Sequence, residues 1–341
     1  MKIRNKLFMS VGIPIILILI GIVIAGCSQP TGEYTGPVDS EKVNLGVEDS
    51  LLAGTVWVAE SKGYFEKEGL DLTIKEFDSG RLSFQAMLKG EGVDISTVAP
   101  TPIMFSSFDR QDFYIFSTFV YANEDIKVIA NGSEGITKAT DLKGKKIGTP
   151  LGTTGQFVTE VFLVNNGLLP SEVEIIDISP SELPDALKNN EVDVIVIWEP
   201  HANNAMNLIG QDAIRLSGSE LYRTTFNFMV MKDYAESHPE VLLKFLRAID
   251  NATDFIEKNR EESKDIVAER LKLDKENMTK FWDAFTFEIS LDQSLIIAIE
   301  AEARWAINNK LTDKIEVPNY LDYIYYDALE EVKPEAVGII R

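Results

Sequence analysis

The sequence predicts an α/β protein built as two similar lobes with a helical C-terminal tail. Three observations carry that prediction. From Lys42 onward, short apolar runs of strand character alternate with stretches of helical spacing, the pattern of parallel strands joined by crossover helices. The order of pieces over residues 46–100 then recurs over residues 148–200. After about Phe226 the character changes to consecutive helices whose outer faces alternate Glu with Lys or Arg.

Taken in order, "KVNLGV" reads as a buried strand and "AGTVWVAESKGYF" as a helix with Gly63 near its stop. "LDLTIKEF" alternates like a strand, "RLSFQAMLKG" is an amphipathic helix closed by Gly90, and "VDISTVA" is a strand again. In the second copy, "NNGLLPSEVEIID" stands where "KGYFEKEGLDLTI" stood, and "LKNNEV" where "MLKGEG" stood. Each copy closes on a strand opening Val-Asp and a loop carrying proline, "VAPTP" or "WEPHA". The tail pieces "HPEVLLKFLRAIDNATDFIEKN", "ESKDIVAERLKL", "NMTKFWDAFTFE", "LDQSLIIAIEAEARWAINNKL" and "YLDYIYYDALEEV" all read as helices. The predicted division is lobe one over 43–127 and 228–341, and lobe two over 128–227.

The N-terminus is organised differently. Lys2, Arg4 and Lys6 precede an apolar run, and then comes Ile24-Ala25-Gly26-Cys27, the layout of a secretory signal. The tetrad resembles a lipoprotein box, in which Cys27 becomes the lipidated first residue; an uncleaved membrane anchor is the other reading. Residues 28–42, polar with Pro and Gly, read as a flexible tether. Cys27 is the single cysteine of the 341 residues, so a lipid role leaves none for a disulfide, zinc site or thiol nucleophile. Net charge is −21, and losing the three N-terminal basic residues takes it to −24. A chain this acidic repels nucleic acid and anionic lipid, so an anionic ligand has to be caught by local dipoles.

The stretch "GTPLGTTGQFVTEVFL" (148–163) is a Gly/Thr loop feeding a helix, without the lysine of a P-loop. Such a loop presents free backbone N–H groups and the positive end of a helix dipole, which suit a sulfonate, carboxylate or nitrate. A plain turn with threonine caps is the alternative.

"SKGYFEKEGLDLTI", "FDSGRLSFQAMLKGEGVDIS", "DLKGKKIGTPLGTTGQFV", "LKNNEVDVIVIWEPHANNA" and "FMVMKDYAESHPEVLLKFLRA" occur in an order that resembles the extracytoplasmic solute-binding proteins of ABC importers. The nearest group is the sulfonate/taurine/nitrate and thiamine-precursor family, and the likeness covers residues 43–248 with looser similarity through the tail. The resemblance implies a hinged, two-lobed periplasmic-binding-protein fold (type 2), a small-molecule ligand, and a permease and its ATPase as partners. The N-terminal signal places the chain at the outer face of the membrane, and the expected form is a monomer with no cofactor and no metal.

Ligands of open α/β sheets sit beyond the carboxyl ends of the strands. That places Ser50, Leu51, Ser79, Gly80, Arg81, Ala99 and Thr101 of the first lobe near the cleft. Thr153, Thr154, Gly155, Trp198 and Glu199 follow for the second, and Thr225, Phe226 and Asn227 where the chain crosses back. Glu199, if it faces the cleft, demands a ligand with a donor or positive group; otherwise it complements a helix dipole. His201 is a further pocket candidate, and His238 a helix-entry surface residue. Carboxylate pairs such as Glu48/Asp49 read as solvated surface. Two histidines and no HExxH or CxxC offer little to a catalyst, although relatives on this fold that make a pyrimidine stand as the rival reading.

Overall fold

The computed structural model describes residues 40–218 and 222–341. The expected signal, Cys27 and most of the tether lie outside the described residues. The chain runs β1 (Glu41–Glu48), α1 (Gly54–Ser61), α2 (Tyr64–Lys67), β2 (Leu70–Phe77), α3 (Gly80–Leu88), β3 (Ile95–Val98), α4 (Pro100–Ser107) and β4 (Phe113–Ala122). It then crosses to β5 (Lys127–Asn131), β6 (Lys146–Thr149), α5 (Thr154–Asn165), β7 (Glu174–Asp177), α6 (Leu183–Lys188), β8 (Val194–Ile197), α7 (His201–Ile209) and β9 (Ala213–Leu216). It returns through β10 (Thr224–Met231), α8 (Lys232–Ser237), α9 (Pro239–Lys258), α10 (Arg260–Leu271), α11 (Lys275–Trp282), β11 (Phe285–Ser290), α12 (Gln293–Asn308) and α13 (Asp327–Val332).

These strands form two sheets, β11-β4-β10-β3-β1-β2 and β7-β6-β8-β5-β9. In each, the earliest parallel strand is flanked by the next two: β1 pairs in parallel with β2 and β3, and β6 with β7 and β8. An antiparallel strand then joins the third, β10 beside β3 and β5 beside β8. The sequence repeat is therefore a repeat of topology. Helices on the sheet faces make the central parallel strands apolar throughout, as "VIVI" of β8 shows with all four residues buried.

The return crossing lies between Leu216 and Thr224. Residues 224–227 pair with β3 and β4 and belong to the first sheet, whereas the sequence placed them in lobe two. Two tail segments also differ from the expected helices. "FTFEIS" forms an edge strand on β4, because the period-2 run Phe285, Phe287, Ile289 outweighs the helical pattern before it. "YLDYIYY" gives only a short 3-10 turn, Tyr320–Tyr323, before α13.

Each sheet has its own apolar core, and Trp305 of α12 packs against both. Its ring meets Phe105 of α4 edge-on with centroids 6.1 Å apart and Phe157 of α5 at 5.0 Å. Its indole N–H donates to Glu160 of α5 at 2.9 Å. A residue of the tail thus braces the two lobes. Trp305→Ala is expected to lower unfolding free energy by about 2–4 kcal/mol, read by urea titration. A loss confined to a few tenths would mean that the brace carries no weight.

Candidate functional site

The carboxyl ends of the strands face a cleft between the lobes. One cavity there is lined by Ser79, Gly80 and Arg81 at the start of α3, by Ala99 and Pro102 at the start of α4, and by Thr153 and Thr154 at the start of α5. Trp198 after β8 and Thr224 and Phe226 of β10 line it as well. Its volume is about 20 Å³, room for about one water, so the lobes are closed upon each other. Thr101 donates to the Thr154 hydroxyl at 3.2 Å and Ser181 to Asp78 at 3.1 Å, both across the cleft. A wider opening of about 550 Å³ lies beside it, lined by Asp78, Arg81, Asp177, Glu182, Asp185 and neighbours.

Local sequence explains the positions. Ser79 caps α3 by accepting the Leu82 amide at 3.3 Å, which leaves Gly80 and Arg81 as the first helical residues. Gly80 is required by space: a Cβ there would stand 2.8 Å from the Phe226 ring and 3.0 Å from the Thr97 carbonyl. Arg81 reaches toward lobe two, where Gly152, at φ +71°, has room for the arginine stem. Its Nε is buried without a hydrogen-bond partner.

The Gly/Thr loop divides its roles. Thr153 is the helix cap: it accepts the Gly155 amide at 3.1 Å and donates to the Pro150 carbonyl at 2.7 Å. Gln156, at the place of the P-loop lysine, accepts the Gly152 amide at 2.8 Å and closes the turn. Thr154 is the loop hydroxyl that meets the other lobe.

Several expected residues stand elsewhere. Leu51 packs in the core of the first lobe, and Leu52 lines the cavity instead. Thr225 and Asn227 are buried on β10 and serve the sheet: Asn227 accepts from Thr118 at 2.7 Å and donates to the Val98 carbonyl at 3.1 Å and to Thr225 at 3.3 Å. Gly155 lies inside the loop, where a Cβ would stand 2.6 Å from the Thr149 hydroxyl. Ser50 is fully buried next to β1, and its carbonyl accepts the Trp57 indole N–H at 3.3 Å. His201 is half-buried at the start of α7 and does not line the cavity; burial holds its pKa below the usual value against the opposing charge of Asp78.

Glu199 is the largest departure. It is buried and forms an ion pair with Lys127 at 2.5 Å, while its other oxygen accepts the Asn203 amide at 2.9 Å. It faces a second hollow lined by Glu124, Lys127, Asn203 and Phe281, not the cleft cavity. The partner lies 72 positions away in sequence, so no local signal announced it.

Two cavity carboxylates escaped the sequence reading. Glu48, the last residue of β1, is 5% exposed rather than solvated; its Oε2 accepts the Gly80 amide at 2.6 Å and its Oε1 has no hydrogen-bond partner. Burial pushes its pKa up to about 8, the Gly80 amide and the nearby Ser50 hydroxyl pull it down, and Asp125 adds to the rise. Asp125, in the crossing from β4 to β5, is 2% exposed with Oδ1 unpartnered. Burial raises it to about 7, with Lys127 opposing and Glu199 adding. The rule that points to strand ends covers Glu48; Asp125 carries no such mark. Among the described residues, no three His, Cys, Asp or Glu are grouped to hold a metal ion.

Two α/β lobes closing over a cavity at the ends of their strands define a binding protein of the two-lobed class. The chain belongs to the NMT1/THI5-like family, whose pattern matches residues 53–263. A protein of Bacillus subtilis (strain 168) named for binding aliphatic sulfonates is 28% identical over 327 residues, 93% of this chain and 96% of that one. The taurine-binding periplasmic protein of Escherichia coli (strain K12) is 28% identical over 225 residues, 64% of this chain and 68% of its own. The fold matches that of the alkanesulfonate-binding protein SsuA from Xanthomonas axonopodis pv. citri, with a TM-score of 0.73 at 19% identity, over 84% of this chain and 99% of that one. The protein described here is a solute-binding protein, not an enzyme.

Two outcomes test this electrostatic picture. Lys127→Met should cost about 3–5 kcal/mol by urea unfolding, because it strands the Glu199 carboxylate, and adding Glu199→Leu should recover most of that. Glu48 and Asp125 have folded pKa values above those of free carboxyls, so their contribution to stability is complete below about pH 4 and is lost as pH rises through about 7–8. The solute-free protein should therefore melt lower near pH 9 than near pH 5, and Glu48→Gln should shrink the difference.

Proposed function

We propose that this protein is the lipid-anchored receptor of an ABC importer, capturing an organosulfonate between its lobes and presenting the closed form to a permease and its ATPase. Cys27 carries the lipid, the chain from residue 28 up to β1 at Glu41 forms the tether, and the binding lobes stand at the outer face of the membrane as a monomer. The single observation behind the sulfonate reading is Arg81, whose buried Nε lacks a partner between the lobes, beside the first turn of α5. A guanidinium next to a helix start matches a planar or tetrahedral anion through charge-assisted hydrogen bonds. The names of the relatives from Bacillus and Escherichia point to the same cargo class. Because the cleft cavity holds about 20 Å³, the lobes part to admit the solute, and the bound solute favours closure by contacts made to both sides.

An aminopyrimidine is the second reading, favoured by Trp198 and Phe226, which both line the cavity, and by the Trp198 indole N–H, which has no partner. Calorimetry separates the two. An alkanesulfonate should bind the native protein, and Arg81→Gln should weaken it by about 1.5–3 kcal/mol. Unchanged affinity in that variant would remove Arg81 from the site, and binding of aminopyrimidines alone would transfer the cargo to the second reading. Membrane anchoring is checked separately: Cys27→Ala should release the protein from the membrane fraction.

A further inference from the structure

We propose that Glu48 and Asp125 form a seat for a positively charged group, so that the cargo is a zwitterion with an anionic head toward Arg81 and a protonated amine at its other end. This rests on the reading of the cleft as a solute site with Arg81 as its anion contact.

Both residues are more than nine-tenths buried, both line the same cavity, and each keeps one oxygen without a hydrogen-bond partner. A charged acceptor out of water costs free energy until it is paired. No neighbouring side chain supplies that pairing. The Glu48 carboxylate accepts the Gly80 amide and has the Ser50 hydroxyl nearby, both neutral donors, and no cationic side chain. The Lys127 ammonium, two positions from Asp125, bonds Glu199 and the Glu124 carbonyl instead. Asp125 adds to the rise of Glu48 through space, so closing the lobes on both groups in ionised form is unfavourable unless something of opposite sign lies between or one of them takes up a proton.

The approach to the cavity has the same sign. Asp78, Asp177, Glu182, Asp185 and Glu191 line the wider opening, and Arg81 is the one basic residue among the described residues that do so. Such a mouth draws in a cationic group and holds off a simple anion. Two carboxylates suit an ammonium, with several N–H donors to share, better than a metal ion, which needs more ligands than the pair provides. The Trp198 ring, lining the same space, adds an aromatic face of the kind that attracts cations.

The test is calorimetry on the full chain in detergent with three probes: taurine, propane-1-sulfonate and propylamine. Propane-1-sulfonate has a methyl group where taurine has its ammonium. Taurine is expected to bind roughly tenfold to a hundredfold more tightly than propane-1-sulfonate, with Glu48→Gln and Asp125→Asn each closing most of that gap. Both substitutions keep side-chain shape, and melting curves verify that the variants fold. Equal or tighter binding of propane-1-sulfonate would overturn the seat while leaving the sulfonate reading intact. A gap that survives both substitutions would overturn it too. Binding of propylamine alone, weakened in both variants, would support the seat and sink the sulfonate head. Failure of all three probes would overturn both.

Discussion

A buried ion pair at the junction of the lobes sets the geometry of the cleft. Lys127 is the first residue of β5 and lies opposite Ile197, the last residue of β8, in the antiparallel ladder. Joining Lys127 to Glu199 at 2.5 Å ties the crossing from the first lobe to the end of the second lobe's buried strand. The residues on either side of the tie are then placed: Asp125 and Ile126 before Lys127, and Trp198 before Glu199, all line the cleft cavity. The pair is structural in the sense that replacing one partner leaves an unpaired charge in a dry site, whereas replacing both removes the problem. Its two side chains bond each other rather than the cleft, although both act through space on Asp125.

What the sequence revealed and concealed follows from the period of each element. The repeat of βαβαβ units, the Ser79-Gly80-Arg81 helix entry and the Gly/Thr loop were legible because each is a local pattern with a fixed place at the end of a strand. Single-residue choices within extended segments were not. Successive side chains of a strand point to opposite faces, so of the consecutive run Thr225, Phe226 and Asn227 only Phe226 faces the cavity, with Thr224 beside it, while its two neighbours turn into the sheet. The exchange of Leu51 for Leu52 in the turn after β1 is a one-residue slip. Glu199 and Glu48 changed places for another reason. Whether a carboxylate is solvated, paired or left facing a cavity depends on residues far away in the chain, and an acidic composition makes the solvated reading the natural one for Glu48.

The two halves of the cleft are chemically unlike. The start of α5 offers a helix dipole and the Thr154 hydroxyl, while the end of β1 offers a carboxylate. Arg81 stands between them, a residue of lobe one whose guanidinium lacks a partner at Nε. The threonine-to-threonine contact from Thr101 to Thr154 closes the gap without drawing on any of these charges.

The second sheet is assembled wholly from β5 to β9, one uninterrupted length of chain, whereas the first is completed only when β10 and β11 return. Lobe two is thus an insertion into lobe one, entered and left at adjacent points of the fold. Evolution is able to exchange such an insertion in a single recombination without disturbing the host sheet. The helix start at Thr154 would travel with the exchanged piece, and the carboxylate at Glu48 would stay behind. Such an exchange would replace one wall of the cleft and leave Arg81 and Glu48, both on the host lobe, where they are.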